Sequence, residues 1–231
     1  MPEHALPAPA PAPLACVRDL HFSYGASPVF AGLNLTIHHG LTLLLGGESC
    51  GKTSLLRLLA GVLPAQKGSI EWLWLDPAQS LKHAPAPSVY WMDPRDAQHD
   101  AIPARAYFDL LRARHAHFSQ SDLVALVQDL GLDEQLDKPL YMLSTGSKRK
   151  VWLAGAFASH CRLTLLDEPF AALDQRSIAR VKTWLNRAAQ DTERAWVLAD
   201  YEAPQGVAAG HSLALDALDA LGALGALGAR V

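Results

Sequence analysis

Residues 41–53 read L-T-L-L-L-G-G-E-S-C-G-K-T, a compact apolar run that leads into a glycine-rich turn. The apolar run has the composition of a buried parallel strand, and S-L-L-R-L-L-A at 54–60 has the residue spacing of a helix. Between them, residues 46–53 match the pattern G-x-x-x-x-G-K-[ST]. This order of strand, turn and helix predicts a phosphate-binding loop, because it points backbone N–H groups and a helix N-terminus at an anion.

The residue types of this loop indicate which ligand it holds. Its glycines let the backbone curl, Lys52 can reach the β- and γ-phosphates of a nucleotide, and the Thr53 hydroxyl can bind Mg²⁺. We therefore predict that a nucleotide and Mg²⁺ bind here. The predicted nucleotide-binding residues of the loop are Gly46, Gly47, Glu48, Ser49, Cys50, Gly51, Lys52, Thr53 and Ser54.

A second apolar run, L-T-L-L at 163–166, ends in the two acids Asp167 and Glu168. At the end of a strand, Asp167 is predicted to bind Mg²⁺ through water. Glu168 is predicted to be catalytic, because its carboxylate can orient or deprotonate a water that attacks the γ-phosphate. Taken alone, the pair would be an ordinary acidic strand end; together with the phosphate-binding loop it predicts a hydrolytic site.

The segments around these motifs alternate between strand and helix patterns. Residues 14–37, 69–75 and 195–199 contain strand-like runs, and residues 104–132 have helical spacing. This alternation predicts an α/β fold with a mostly parallel sheet and a helical insertion in the middle.

The two ends of the chain differ from the middle in composition. Alternating Pro and Ala at 5–13 predict a disordered arm over residues 1–13. From Leu213 onward, a three-residue repeat with leucine and interspersed glycines predicts a frayed helix, with a partner-docking helix as the alternative. We assign residues 14–216 to one domain and residues 217–231 to a low-complexity tail.

Composition excludes several classes of protein. The 231 residues hold 20 Lys plus Arg and 23 Asp plus Glu, a net charge of -3, which argues against a nucleic-acid-binding module. Three scattered cysteines do not make a disulfide framework, and no apolar run of about 18 residues or secretory signal occurs. We therefore expect a cytoplasmic protein that reaches a membrane through a partner.

Over residues 14–216 the sequence resembles the ATP-binding cassette (ABC) ATPases. The most specific feature is L-S-T-G-S at 143–147, which precedes L-L-D-E-P and is followed by A-L-D at 172–174. In the family these runs are the signature motif and the D-loop. The resemblance implies a P-loop NTPase core with an N-terminal antiparallel β lobe and a helical lobe at about 77–155.

The signature run is a second predicted anion site. Ser144 offers a hydroxyl and Gly146 an unhindered N–H at the start of a helix. The resemblance implies that both face the γ-phosphate held by another subunit, so that two chains enclose two ATP molecules. Thr145 and Ser147 replace the family's usual Gly and Gln. The alternative is that Ser144 only caps the helix.

Tyr24, in H-F-S-Y-G, resembles the aromatic residue of the family that stacks on adenine. The alternative is an ordinary aromatic residue at a strand end. Because stacking tolerates any base, the choice of ATP as the nucleotide comes from the resemblance.

Two positions depart from the family pattern. Asp93 stands where the family has a Gln that senses Mg²⁺, with Gln98 as an alternative if the loop is shifted. Asp200 stands where the family has a switch His that contacts the γ-phosphate. A carboxylate cannot donate a hydrogen bond as His does, and its charge opposes that of the phosphate. We therefore predict an ATPase whose hydrolysis is slow.

Cys50 lies within the predicted loop, at a helix N-terminus and beside Lys52. This position predicts a lowered pKa for its thiol. We interpret Cys50 as an incidental small residue, with a redox switch as the alternative.

The resemblance implies the ATP-binding and ATP-hydrolysing subunit of a membrane transporter. Such a subunit pairs with a second one, identical or different, drives separate integral membrane permease subunits, and lies at the inner face of the membrane through them. The helical lobe and the Asp93 loop are the expected contact. Three alternatives remain open: a degenerate cassette acting as a regulatory or heterodimeric half, a soluble ABC ATPase in repair or translation, and a kinase-like phosphotransferase.

Overall fold

The computed structural model describes residues 13–75, 88–91, 93 and 97–216. The predicted arm, apart from Pro13, and the predicted tail at 217–231 lie outside these residues. In the described part the strands are β1 (Pro13–Tyr24), β2 (Ser27–His38), β3 (Gly40–Leu45), β4 (Lys67–Trp72), β5 (Val89–Trp91), β6 (Leu163–Asp167), β7 (Ala195–Asp200) and β8 (His211–Ala214). The helices are α1 (Lys52–Leu59), α2 (Ala104–Arg114), α3 (Gln120–Leu130), α4 (Thr145–Ala158) and α5 (Gln175–Ala188), with short 3₁₀ turns at Asp133–Gln135 and Leu140–Met142.

Five strands form a parallel sheet in the order β5-β6-β7-β3-β8. Strands β3, β6 and β7 are buried along almost their whole length, as the apolar runs in the sequence predict. In the register of the sheet, Leu45 pairs with Asp200, and Asp167 pairs with Ala199. The phosphate-binding loop and the predicted acidic residues therefore follow strands that end at the same edge of the sheet.

The second sheet is antiparallel and has the order β2-β1-β4. Its buried side chains, such as Leu20 and Ile37, join the same core as Leu55 and Leu56 of α1. Helix α1 is thus packed between the antiparallel sheet and the parallel sheet. The predicted α/β fold with an antiparallel β lobe is confirmed.

The helical insertion contains α2, α3 and α4, which share a core that includes Leu111, Leu126 and Trp152. Residues 104–132, predicted as helical, form two helices separated at His115, whose backbone is extended. Ser119 then caps α3 by accepting a hydrogen bond from the Asp122 N–H at 3.1 Å. The predicted helical lobe is confirmed, and within the part of the chain that the structure describes its helices lie between 104 and 158.

The start of the C-terminal repeat differs from the prediction. Leu213 and Ala214 lie in β8, which pairs in parallel with β3, and not in a frayed helix. The physical reason is that the β8 backbone pairs with the otherwise open edge of β3, a tertiary contact that outweighs a weak local helical pattern. Strand β4 is also shorter than predicted, since it ends at Trp72.

Among the described residues, none of the helices has the length and hydrophobicity needed to cross a membrane.

Candidate functional site

The phosphate-binding loop has the predicted place between β3 and α1. Gly46 and Gly51 adopt φ angles of 157° and 95°, in the left-handed region that favours glycine. A Cβ atom on Gly51 would lie 2.9 Å from the side chains of Phe30 and Val29. The glycine at 51 is therefore required both for the turn and for the close approach of β2.

Lys52 occupies the inside of the curled loop. Its ammonium donates to the carbonyl oxygens of Gly46 and Gly47, each at 2.6 Å, and the side chain is almost completely buried. The positive charge is thus held in place by the loop backbone before any anion arrives.

The end of β6 meets the start of α1 through Thr53 and Asp167. The Thr53 hydroxyl donates to Asp167 Oδ2 at 2.7 Å. Among the described residues, the buried Asp167 Oδ1 atom has no hydrogen-bond partner, and burial raises the pKa of this carboxyl above its usual value. A buried carboxylate oxygen without a partner next to a hydroxyl is a donor set that fits Mg²⁺.

The described residues contain no group of three or more His, Cys, Asp or Glu able to hold a metal ion. Mg²⁺ does not require such a group, since it commonly takes one or two protein ligands together with phosphate oxygens and water. The Thr53–Asp167 pair therefore fits the protein side of such a site.

Glu168 has an unusual backbone conformation. Its φ angle is 45°, which is uncommon for a residue with a side chain. The Glu168 N–H donates to the Ala199 carbonyl at 2.9 Å, and the Glu168 carbonyl accepts from Arg149 at 2.5 Å. Contacts from β7 and α4 thus hold this strained residue, a feature that clusters at functional sites.

Three consecutive basic residues of α4 connect that helix to different loops. Lys148 pairs with Asp100 in the turn before α2, and Lys150 pairs with Asp174 at 2.7 Å at the start of α5. Arg149 lies between them and donates to the carbonyl oxygens at the end of β6. The contacts of these three residues were not predicted from the sequence, because their partners lie in separate segments of the chain.

The signature run lies against the D-loop of the same chain. Ser144 caps α4, since its hydroxyl accepts from the Ser147 N–H at 3.1 Å. A Cβ atom on Gly146 would clash with the Ala172 carbonyl, and Ala172 itself has a φ angle of 61°. Glycine at 146 therefore permits the close approach of this backbone to the Ala172 carbonyl, independently of any contact with phosphate.

Tyr24 lies at the end of β1, next to α1. Its hydroxyl accepts from the Ser54 hydroxyl at 3.3 Å, and its ring makes an edge-to-face contact with Phe22. The side chain is half exposed, so a ring face is available for a base.

Asp93 is held by Arg57 of α1, a contact that the sequence did not predict. Arg57 donates to Asp93 Oδ2 from Nη2 at 2.5 Å and from Nε at 3.1 Å. Asp93 and Gln98 both line a groove of about 470 Å³ between α1 and the helical lobe.

Asp200, at the end of β7, forms a hydrogen bond with the backbone of the next residue. Its Oδ1 atom accepts from the Tyr201 N–H at 2.8 Å. Burial raises the pKa of this carboxyl, the nearby charge of Glu168 acts in the same direction, and Lys52 opposes both.

The prediction for Cys50 is wrong: the pKa of its thiol is raised, not lowered. Burial is the largest cause, and it outweighs the attraction of Lys52. Asp216 also raises the pKa of the thiol, and its carboxylate accepts from the Gly47 N–H at 2.9 Å. No local sequence pattern connects Asp216 with the loop, because Gly47 and Asp216 are 169 residues apart.

We expect Arg149→Met to lower the free energy of unfolding by about 1–3 kcal/mol, because two carbonyl oxygens lose a charged donor. Urea unfolding followed by circular dichroism measures this change. Arg105→Met is the matched control, since Arg105 pairs with Asp137 on the surface, and it should change stability very little. Equal effects of the two substitutions would contradict a special role for Arg149.

Comparison with known proteins agrees with this geometry. A family profile described as ABC transporter matches residues 30–171. The chain is 28% identical over 212 residues to the taurine import ATP-binding protein TauB of Escherichia coli K12, covering 86% of this chain and 78% of TauB; the Shigella flexneri TauB gives the same values.

Two solved structures share the fold. One is an ATP-binding subunit of an ABC transporter, with a TM-score of 0.69 and 19% identity over 81% of this chain and 79% of that one. The other is cbiO1 from Clostridium perfringens, part of the ABC transporter complex cbiONQ, with a TM-score of 0.60 and 21% identity over 82% and 79%. Since the profile covers more than half of the chain, this protein belongs to the ABC transporter family of ATP-binding subunits.

Proposed function

We propose that the chain binds ATP with Mg²⁺ at the β3–α1 loop and hydrolyses it to drive transport. The observation that carries this proposal is the Thr53–Asp167 pair with the unpartnered Asp167 oxygen, next to the buried Lys52 ammonium. These three side chains supply one cation and two oxygen ligands at the edge of the sheet where the loop begins. The remaining loop residues of the predicted set contribute mainly backbone N–H groups.

The roles of the residues follow from their positions. Lys52 neutralises charge on the β- and γ-phosphates, and Mg²⁺, which Thr53 and Asp167 would hold, would neutralise further charge on these phosphates. Glu168 orients the attacking water and accepts its proton. The half-exposed ring of Tyr24 stacks on adenine.

We further propose that residues 14–216 act as one unit that pairs with a second ATP-binding subunit. Ser144 and Gly146 then complete the site of the partner subunit. Asp93 lines a groove beside the helical lobe at about 77–155. This groove is suited to contact a membrane permease subunit. Through that contact the protein would act in the cytoplasm at the inner face of the membrane, without binding nucleic acid. The named function of the TauB relatives favours an importer.

A degenerate cassette with slow hydrolysis is the second candidate. Two observations favour it: Asp93 is engaged by Arg57, and Asp200 brings a carboxylate to the site. Either residue would weaken catalysis more than binding, because charge shifts on the transferring group only during the reaction.

We expect Lys52→Ala to reduce ATP affinity by at least tenfold, because the point charge on the phosphates is lost. Equilibrium titration with a fluorescent ATP analogue measures this. Lys138→Ala, at an exposed lysine of the helical lobe, is the control and should bind like the parent. A Lys52→Ala protein with parental affinity would refute the assignment of the loop.

We expect Glu168→Gln to retain ATP binding and to accumulate as an ATP-bound dimer, since the base is removed while the interface is left intact. Gel filtration with ATP and Mg²⁺ should show a shift to twice the monomer mass, which the parent and Glu134→Gln do not show. A Glu168→Gln protein that stays monomeric would count either against Glu168 as the base or against formation of a homodimer. Adding the parent chain or a candidate partner distinguishes these two explanations.

We expect the purified protein to hydrolyse ATP slowly, and Asp200→His to raise kcat by about tenfold, equivalent to about 1.4 kcal/mol of barrier. The reason is that a donor replaces a carboxylate that repels the γ-phosphate. Phosphate release at saturating ATP measures the rate, with Asp133→His on the helical lobe as the control. A flat kcat, with ordinary turnover by the parent, would remove the reason to regard this cassette as degenerate.

A further inference from the structure

Tyr201 is the residue of β7's C-terminal turn that reaches the phosphate-binding loop. Its ring lies over the Lys52 ammonium, with 4.4 Å between Nζ and the ring centroid. The side chain is 45% exposed, so the contact forms at the open side of the loop. A cation above an aromatic face is attracted to it, which fixes the position of both groups.

Tyr201 also lies close enough to Glu168, the predicted catalytic base, to feel its charge. The negative charge of Glu168 is the largest cause that raises the pKa of the Tyr201 phenol, and burial acts in the same direction. The phenol therefore stays protonated at neutral pH and acts as a hydrogen-bond donor. Tyr201 thus interacts with both Lys52, the predicted phosphate-binding cation, and Glu168, the predicted base for the attacking water.

This edge of the sheet is crowded with acceptors. Asp167, Glu168 and Asp200 each bring a carboxylate, and carboxylates can only accept while they are ionised. Asp200 also uses one oxygen for the Tyr201 N–H. A hydrogen-bond donor beside Lys52 can stabilise charge on a transferring phosphate.

We propose that Tyr201 is a catalytic residue whose hydroxyl donates a hydrogen bond to the γ-phosphate during hydrolysis. The proposal rests on the proposed ATPase function. In the reaction, the water oxygen forms a bond to the γ-phosphorus while the bond to the β–γ bridging oxygen breaks. Glu168 takes the proton of the water, ADP leaves with the bridging oxygen, and Tyr201 keeps its own proton throughout.

Tyr201→Phe tests the hydroxyl without disturbing the ring, because phenylalanine also presents an aromatic face to Lys52. We expect ATP affinity, measured with a fluorescent analogue in EDTA and again with Mg²⁺, to stay within twofold of the parent. The kcat for phosphate release should fall by about tenfold. Tyr141→Phe, at an exposed tyrosine outside the loop, is the matched control for loss of one hydroxyl, and melting temperatures verify that both variants fold.

A double-mutant cycle separates catalysis from structure. If the Tyr201 hydroxyl donates to the γ-phosphate, a histidine at position 200 should provide a second donor that partly replaces it. Tyr201→Phe should therefore lower kcat by less than twofold in the Asp200→His background. The proposal is overturned if Tyr201→Phe leaves kcat unchanged, or if it lowers ATP affinity as much as it lowers kcat. It is also overturned if Tyr201→Phe lowers kcat by the same factor in the parent and in the Asp200→His background. If the parent neither binds nor hydrolyses ATP, both the proposed function and this inference are overturned. If the parent hydrolyses ATP and Tyr201→Phe does so at the same rate, this inference alone is overturned.

Discussion

The parallel pairing of β3, β6 and β7 is the constraint on which the site depends. Because the three strands run in the same direction and in register, the groups that follow them meet at one edge: the loop after Leu45, the acids Asp167 and Glu168, and the turn after Asp200. Helix α1 fixes the distance between the first two through the Thr53–Asp167 hydrogen bond. The chemistry of the site thus follows from the parallel arrangement of these strands, which buries their apolar runs on both faces of the sheet.

The electrostatics of this edge oppose the stability of the folded chain. Burial raises the pKa of both Asp167 and Asp200, so each carboxylate in its ionised form destabilises the fold at pH values above its ordinary pKa. The charge of Lys52 lowers the pKa of both carboxyls and so provides part of the compensation. An acidic edge of this kind favours a ligand that brings cations with it, as nucleotide with Mg²⁺ does.

Helix α4 connects the site to the rest of the protein. Through Lys148, Arg149 and Lys150, its first two turns contact the turn before α2, the end of β6 and the start of α5. Gly146 adds a backbone contact to the D-loop. A movement of the helical lobe would therefore act on Glu168 directly, because the residue that holds the Glu168 backbone belongs to the same helix.

The sequence by itself determined the features that depend on short stretches of chain. The loop at 46–53, the acids at the end of β6 and the strands β3, β6 and β7 were all predictable, because apolar runs, glycines and helix caps act locally. The helical lobe and the antiparallel sheet were predictable from the resemblance to a known family.

Only the tertiary structure decided which distant groups surround these elements. Arg57 holds Asp93, Asp216 holds the Gly47 N–H, and Tyr201 covers Lys52, and in each case the partners come from separate segments of the chain. The sign of the Cys50 pKa shift was mispredicted for the same reason: its neighbours in sequence favour the thiolate, whereas burial, which outweighs them, is a property of the packed molecule.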